Sequence, residues 1–152
     1  MDLILWRHAE AVEGNDGDDL ARKLTAKGER QAERMAEWLN RRLSHSTRIL
    51  VSPAIRCQQT AKALGRKFRT VDEIAPDASA QAVLDAARWP EGNGAVLIVG
   101  HQPTLGMAAA QALIGMPQPW SIKKGAVWWI RHRPRDDEDR VLVQAVQSPD
   151  CL

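Results

Sequence analysis

Three apolar runs in this chain each lead into residues suited to handling an anion. Leu3-Ile4-Leu5-Trp6 runs into Arg7-His8, Arg48-Ile49-Leu50-Val51 into Ser52-Pro53-Ala54-Ile55-Arg56, and Ala95-Val96-Leu97-Ile98-Val99-Gly100 into His101. A neutral imidazole keeps one ring nitrogen free to attack phosphorus. A guanidinium stays charged and meets two phosphoryl oxygens with one planar fork. Phosphoryl transfer asks chiefly for alignment and for positive charge around the equatorial oxygens. His8 is therefore the candidate nucleophile, Arg7 and Arg56 the candidate clamp, and His101 a hydrogen-bond donor to the same oxygens. Neighbouring positive charge lowers an imidazole pKa and favours the neutral form that attacks. Attack by His8 would give a phosphohistidine that water then hydrolyses. Metal binding by His8 and His101 is rejected: no carboxylate or cysteine stands at ligand spacing beside them, and two arginines repel a cation.

In an open α/β sheet, ligands bind beyond the carboxyl ends of the strands, so the three runs are read as strands of one sheet. The unbroken apolar run from Ala95 to Val99 fits a parallel strand covered on both faces. Thr25 is a candidate N-cap for a helix reaching about Leu43, with Ala32, Met35, Ala36, Leu39 and Leu43 on one face. Ser52 is a candidate cap for a second helix, with Pro53 in its first turn, running to about Gly65. Arg56 then stands in the first turn, where the helix dipole disfavours a cation unless an anion binds there. A short strand over Arg69-Thr70-Val71, a helix from about Ser79 to Arg88 and another from Pro103-Thr104 to Gly115 follow. The tail reads as strands over 126–130 and 141–146, with a hairpin connection through Pro134–Asp139. One domain spanning 1–152 is expected, a three-layer α/β/α sandwich whose mostly parallel sheet ends in an antiparallel hairpin. The polar stretch from Glu13 to Asp19 is either a rim over the site or a plain connection. His45 and His132 are expected to face solvent. One ring of the Trp128-Trp129 pair should face the core.

Composition narrows the field. Of 152 residues, 44% are hydrophobic and 26% charged, as in an ordinary globular domain. A formal net charge of +2 gives no support to nucleic-acid binding. The first apolar run is too short for a signal peptide and no run reaches membrane-spanning length, so no membrane is expected. Cys57 and Cys151 make no disulfide framework, and a reduced, cytoplasmic setting is the expectation. Arg56 beside Cys57 would activate an accessible thiol, whereas a buried one would be inert.

These residues resemble the histidine phosphatase superfamily, and within it the small SixA-type phosphohistidine phosphatases. The likeness spans Arg7-His8-Ala9, Leu24-Thr25-Ala26-Lys27-Gly28-Glu29-Arg30-Gln31-Ala32, Val51-Ser52-Pro53-Ala54-Ile55-Arg56-Cys57-Gln58-Gln59-Thr60-Ala61 and Val99-Gly100-His101-Gln102-Pro103. The resemblance implies a phosphoglycerate mutase-like fold, a catalytic set of His8, Arg7, Arg56 and His101, and no cofactor. Ala9 departs from the family's usual glycine. Arg22 and Ser52 are further candidates for touching phosphate or substrate, with a surface charge the plain alternative for Arg22. Larger relatives protonate the leaving oxygen with a carboxylate after the third strand; Glu73 and Asp77 lie in that region, and neither is preferred. No segment is long enough to build the cap of larger relatives, so an open, shallow site is expected. That suits a phosphorylated protein such as a histidine phosphotransfer domain, acted on by a monomer. A small phosphate ester, or a module that binds phosphate without turning it over, are the competing expectations.

Overall fold

The structure, a computed structural model, describes every residue except 15, 16, 136 and 137, and the backbone alone at 135, 138 and 139. Among the described residues, six strands form one sheet in the order β3-β2-β4-β1-β5-β6. They are β1 (Asp2–Arg7), β2 (Arg48–Val51), β3 (Arg69–Thr70), β4 (Ala95–Gly100), β5 (Val127–Arg135) and β6 (Glu138–Gln147). β1, β2, β3 and β4 run parallel; β5 and β6 are antiparallel and form the far edge. Four helices connect them: α1 (Ala26–Asn40), α2 (Ile55–Lys62), α3 (Ala80–Ala87) and α4 (Thr104–Ile114).

β1, β2 and β4 are apolar on both faces because helices cover both. Ile4, Trp6, Ile49, Val51, Leu97 and Val99 pack with the α1 and α2 residues Met35, Leu39, Cys57 and Ala61. Leu3, Leu5, Leu50, Val96 and Ile98 point the other way, onto Val83 and Leu84 of α3 and Leu105 and Ala109 of α4. Alternate strand residues thus supply two cores separated by the sheet, the arrangement expected of parallel strands.

Local signals explain most boundaries. Thr25 caps α1 by accepting from the Gly28 N–H. Ser79 caps α3 in the same way, and left-handed Gly115 ends α4. Ser52, however, does not cap α2. The cap residue is Ala54, without a side-chain bond, and the helix stops at Lys62 rather than near Gly65. The tail strands are longer than their apolar centres. Pairing continues through Pro134 opposite Asp139 to Arg135 opposite Glu138, so the proposed connection is mostly strand, and residues 136 and 137 lie outside the described ones. Proline is tolerated there because β1 pairs with β5 only up to Arg131 and the sheet is two strands wide beyond it. His45 is exposed as expected, but His132 is buried with its ring against Trp89, 5.8 Å between centroids. Strand alternation places it on the face of buried Ile130. Both rings of the tryptophan pair are covered, Trp128 by Trp120 and Trp129 by Trp38. Among the described residues, no helix is long and apolar enough to cross a membrane.

Candidate active site

The parallel register assembles the site. Arg7 lies opposite Gly100, so the next residue of each strand, His8 and His101, emerge side by side with ring centroids 5.4 Å apart. Val51 lies opposite Val99, which sets Ser52 beside the same strand end. The loop after it returns Arg56 in the first turn of α2, over both imidazoles. A cavity of about 330 Å³ opens there, lined by Arg7, His8, Arg22, Arg56 and His101, with Asp19, Asp77 and Lys124 at its rim. His8, Arg56 and His101 are buried, whereas Glu13, Asp77 and Lys124 are exposed. The floor is buried and the mouth is open.

His8 is held in one tautomer. Its Nδ1 lies 2.8 Å from the Ala9 carbonyl oxygen, which can only accept, so the neutral ring carries its proton on Nδ1 and leaves the Nε2 lone pair free. Burial, and then the charges of Arg56, Arg7 and Arg22, push the His8 pKa down to about 4 against an opposing pull from that hydrogen bond. Burial and Arg56 likewise hold His101 at about 3. Both rings are neutral at pH 7.

His101 is fixed from two sides. Arg56 Nη2 approaches its Nδ1 at 3.3 Å, and Ser52 Oγ lies 2.7 Å from its Nε2. Because a guanidinium only donates, Nδ1 accepts and Nε2–H donates to Ser52. Ser52 is fully buried and also accepts from the Ala54 N–H. It therefore orients His101 and does not line the cavity as a phosphate ligand. Cys57, fully buried behind the ring, has its thiol pushed up to about 12 by burial, which makes it inert.

The arginines already hold partners that mimic an anion. Arg56 donates from Nη1 to the Asp19 carbonyl at 2.7 Å and from Nη2 to Asp19 Oδ2 at 3.0 Å. Arg22 donates from Nη1 to the other Asp19 oxygen at 3.0 Å, and together the two cations hold the Asp19 carboxyl below its usual range. Arg7 donates to the Ile122 carbonyl. The Nε–H groups of Arg7 and Arg56 are buried without an acceptor among the described residues. Buried donors without acceptors are costly, and an oxyanion would satisfy them.

The Gln-Thr end of the α2 motif is a scaffold. Thr60 Oγ1 accepts the Ala9 N–H at 3.1 Å and Gln59 Oε1 accepts the Leu24 N–H at 2.7 Å, tying the loop after β1 to α2. Gly28 lets α1 come against that loop, because a Cβ there would lie 2.0 Å from the Glu10 carbonyl oxygen. Of the two candidate acids, Asp77 reaches the rim, in a left-handed conformation with φ 69°, whereas Glu73 sits exposed on the turn Asp72–Ile74 and does not line the cavity. Asp19 and Lys124 were not singled out from sequence.

The family model described as histidine phosphatase superfamily (branch 1) matches residues 3–79. The chain belongs to the histidine phosphatase superfamily. Among relatives of this histidine phosphatase is a phosphohistidine phosphatase SixA homolog of Haemophilus influenzae, 35% identical and covering 80% of this chain and 82% of that one. Phosphohistidine phosphatase SixA of Escherichia coli is 28% identical, over 78% of each chain. The solved structure of the protein histidine phosphatase SixA complexed with tungstate is similar over 99% of both chains, with a TM-score of 0.80 at 25% identity. The sheet and its four helices are thus those of the phosphoglycerate mutase-like fold, and the chain is a phosphatase.

Proposed function

We propose that this enzyme removes the phosphoryl group from a phosphohistidine on a protein, such as a histidine phosphotransfer domain, through a covalent intermediate on His8. The observation that carries the reading is the His8 ring, buried among arginines, neutral, and with Nε2 free because Nδ1 donates to Ala9. Nε2 attacks phosphorus, the P–N bond to the substrate imidazole breaks, and that leaving nitrogen takes a proton. Asp77 at the rim is the candidate donor, and a labile P–N bond needs only a weak acid there. Arg7 and Arg56 hold the equatorial oxygens through the N–H groups that lack acceptors. An arriving dianion displaces Asp19 and favours a second proton on His101, whose Nδ1 then donates to phosphate. Water next attacks phosphorus, releasing inorganic phosphate and restoring neutral His8.

The relatives named for phosphohistidine support this substrate class, and the relative bound to tungstate, a tetrahedral oxyanion, supports an oxyanion pocket. An open mouth over a buried floor suits a side chain projecting from a protein. With radiolabelled phosphohistidine protein, acid-labile label is expected on His8 during turnover, and His8→Ala should lower the rate by roughly 10⁴-fold or more. Activity surviving that substitution would sink the mechanism. A clear preference for phosphate esters over phosphohistidine protein would sink the substrate.

A further inference from the structure

The opposite end of the sheet carries a second cationic cleft. It has a volume of about 340 Å³ and is walled by Arg48, Lys67, Arg69 and Arg88. Its floor is apolar, from buried Ile49 and Leu50 and half-buried Phe68 and Ala86. β2 separates it from the catalytic pocket: Arg48 starts that strand and Ser52 follows its end, about 13 Å away at strand rise.

Among the described residues, none of these four cations forms an ion pair with a carboxylate. Arg48 donates only to the Ala87 carbonyl, at 2.9 Å, in the last turn of α3. Burial, followed by the charges of Arg88 and Arg69, holds the Arg48 pKa below its ordinary value, so the cations are near enough to repel. Asp85 and Glu91 line the adjoining cleft on the other side of Arg48 and Arg88, and Asp85 accepts from Gln81. On a chain of formal net charge +2, four cations at one cleft, none of them in an ion pair among the described residues, are a local concentration.

A lone carboxylate or phosphate neutralises only part of that charge. Linked phosphates bring three or more negative charges into a space of this size and present oxygens to guanidinium forks. We propose that this cleft is a polyphosphate-binding site, taking either a short inorganic polyphosphate or the phosphate tail of a nucleotide. Both share the phosphate chain; a nucleotide adds a flat ring that Phe68 can stack against. A cleft of this size does not track a nucleic-acid backbone, which requires a continuous charged groove.

The test is titration of the isotope-labelled full chain with tripolyphosphate, ATP, adenosine and a short acidic peptide, followed by amide chemical shifts. Tripolyphosphate and ATP are expected to shift residues 67–69 and 86–88. The double substitution Arg69→Ala with Arg88→Ala should weaken that binding at least tenfold while leaving phosphatase turnover unchanged, and Arg88→Glu alone should weaken it in the same direction. Equal affinity for tripolyphosphate and ATP identifies the inorganic chain as the source. Tenfold tighter ATP, with adenosine alone silent, identifies the nucleotide. Shifts confined to the surroundings of His8 and Arg56, or tighter binding of the acidic peptide than of either phosphate ligand, would overturn the proposal.

Discussion

Two arginine-walled cavities of similar size, about 330 and 340 Å³, stand at opposite ends of one sheet. In the catalytic pocket Arg56 is buried to 4% exposure beside two imidazoles and is already paired with Asp19. In the second cleft Lys67, Arg69 and Arg88 are exposed, no imidazole lines the cavity, and among the described residues no carboxylate forms an ion pair with them. The contrast separates two uses of positive charge. Exposed cations attract an anion but act more weakly on neighbouring groups, because solvent screens them. Buried cations act on whatever they surround, and here they surround the His8 ring, which the proposed mechanism needs uncharged before it attacks.

Paired substitutions break the comparison most directly. Arg56→Ala should lower kcat/KM by on the order of 10²–10³-fold, as loss of a principal donor to a developing oxyanion does. Arg69→Ala should leave kcat/KM within about twofold, since screened charge across the sheet contributes little. Comparable losses in steady-state kinetics would mean that the two clefts are not separate in function.

A pH series sharpens it. His8 at about 4 and His101 at about 3 both lie below the 6.5 of an unfolded imidazole, so the unfolded chain binds more protons in that window. Stability is therefore expected to fall as pH drops from about 6.5 towards 4, by a few kcal/mol in order of magnitude. Urea unfolding midpoints measure this. Replacing His8 and His101 with asparagine should flatten the slope, whereas replacing Arg69 and Arg88 with alanine should not. The kcat/KM profile should stay level through pH 5 and decline towards pH 4 as His8 gains a proton.

The smallest effect belongs to Asp19. As an anion occupying the clamp, it competes with phosphate, so Asp19→Asn should tighten inhibition by inorganic phosphate several-fold. Weaker inhibition would instead mark Asp19 as a group that positions Arg56.

Much of this architecture was legible in the chain because its signals are local. Unbroken apolar runs marked the parallel strands, Thr25 and Ser79 marked helix starts, and Arg7-His8, Arg56 and Gly100-His101 stood at strand or helix ends. What escaped depends on where side chains meet. Ser52 read as a helix cap and a phosphate ligand because a hydroxyl after a strand can serve either role; only the register against β4 turns it onto His101. Asp19 lies in a run with several acids, and nothing in that run distinguishes the one that reaches Arg56. Glu73 and Asp77, four residues apart, looked equivalent until the turn after β3 sent one outward and one to the rim. His132 seemed a surface residue in a basic tail, but strand alternation made it part of the interior.

The hydrogen bond from His8 Nδ1 to Ala9 has a stereochemical consequence. Phosphohistidine has two positional isomers, and on the proposed covalent route, with Nδ1 occupied, the intermediate on His8 is the one phosphorylated on Nε2, the nitrogen farther from the backbone. A phosphoryl group that passes in line to that nitrogen and then in line to water is inverted twice. On the proposed covalent route, a thiophosphoryl group made chiral with two oxygen isotopes and hydrolysed in water carrying the third should therefore give thiophosphate of retained configuration.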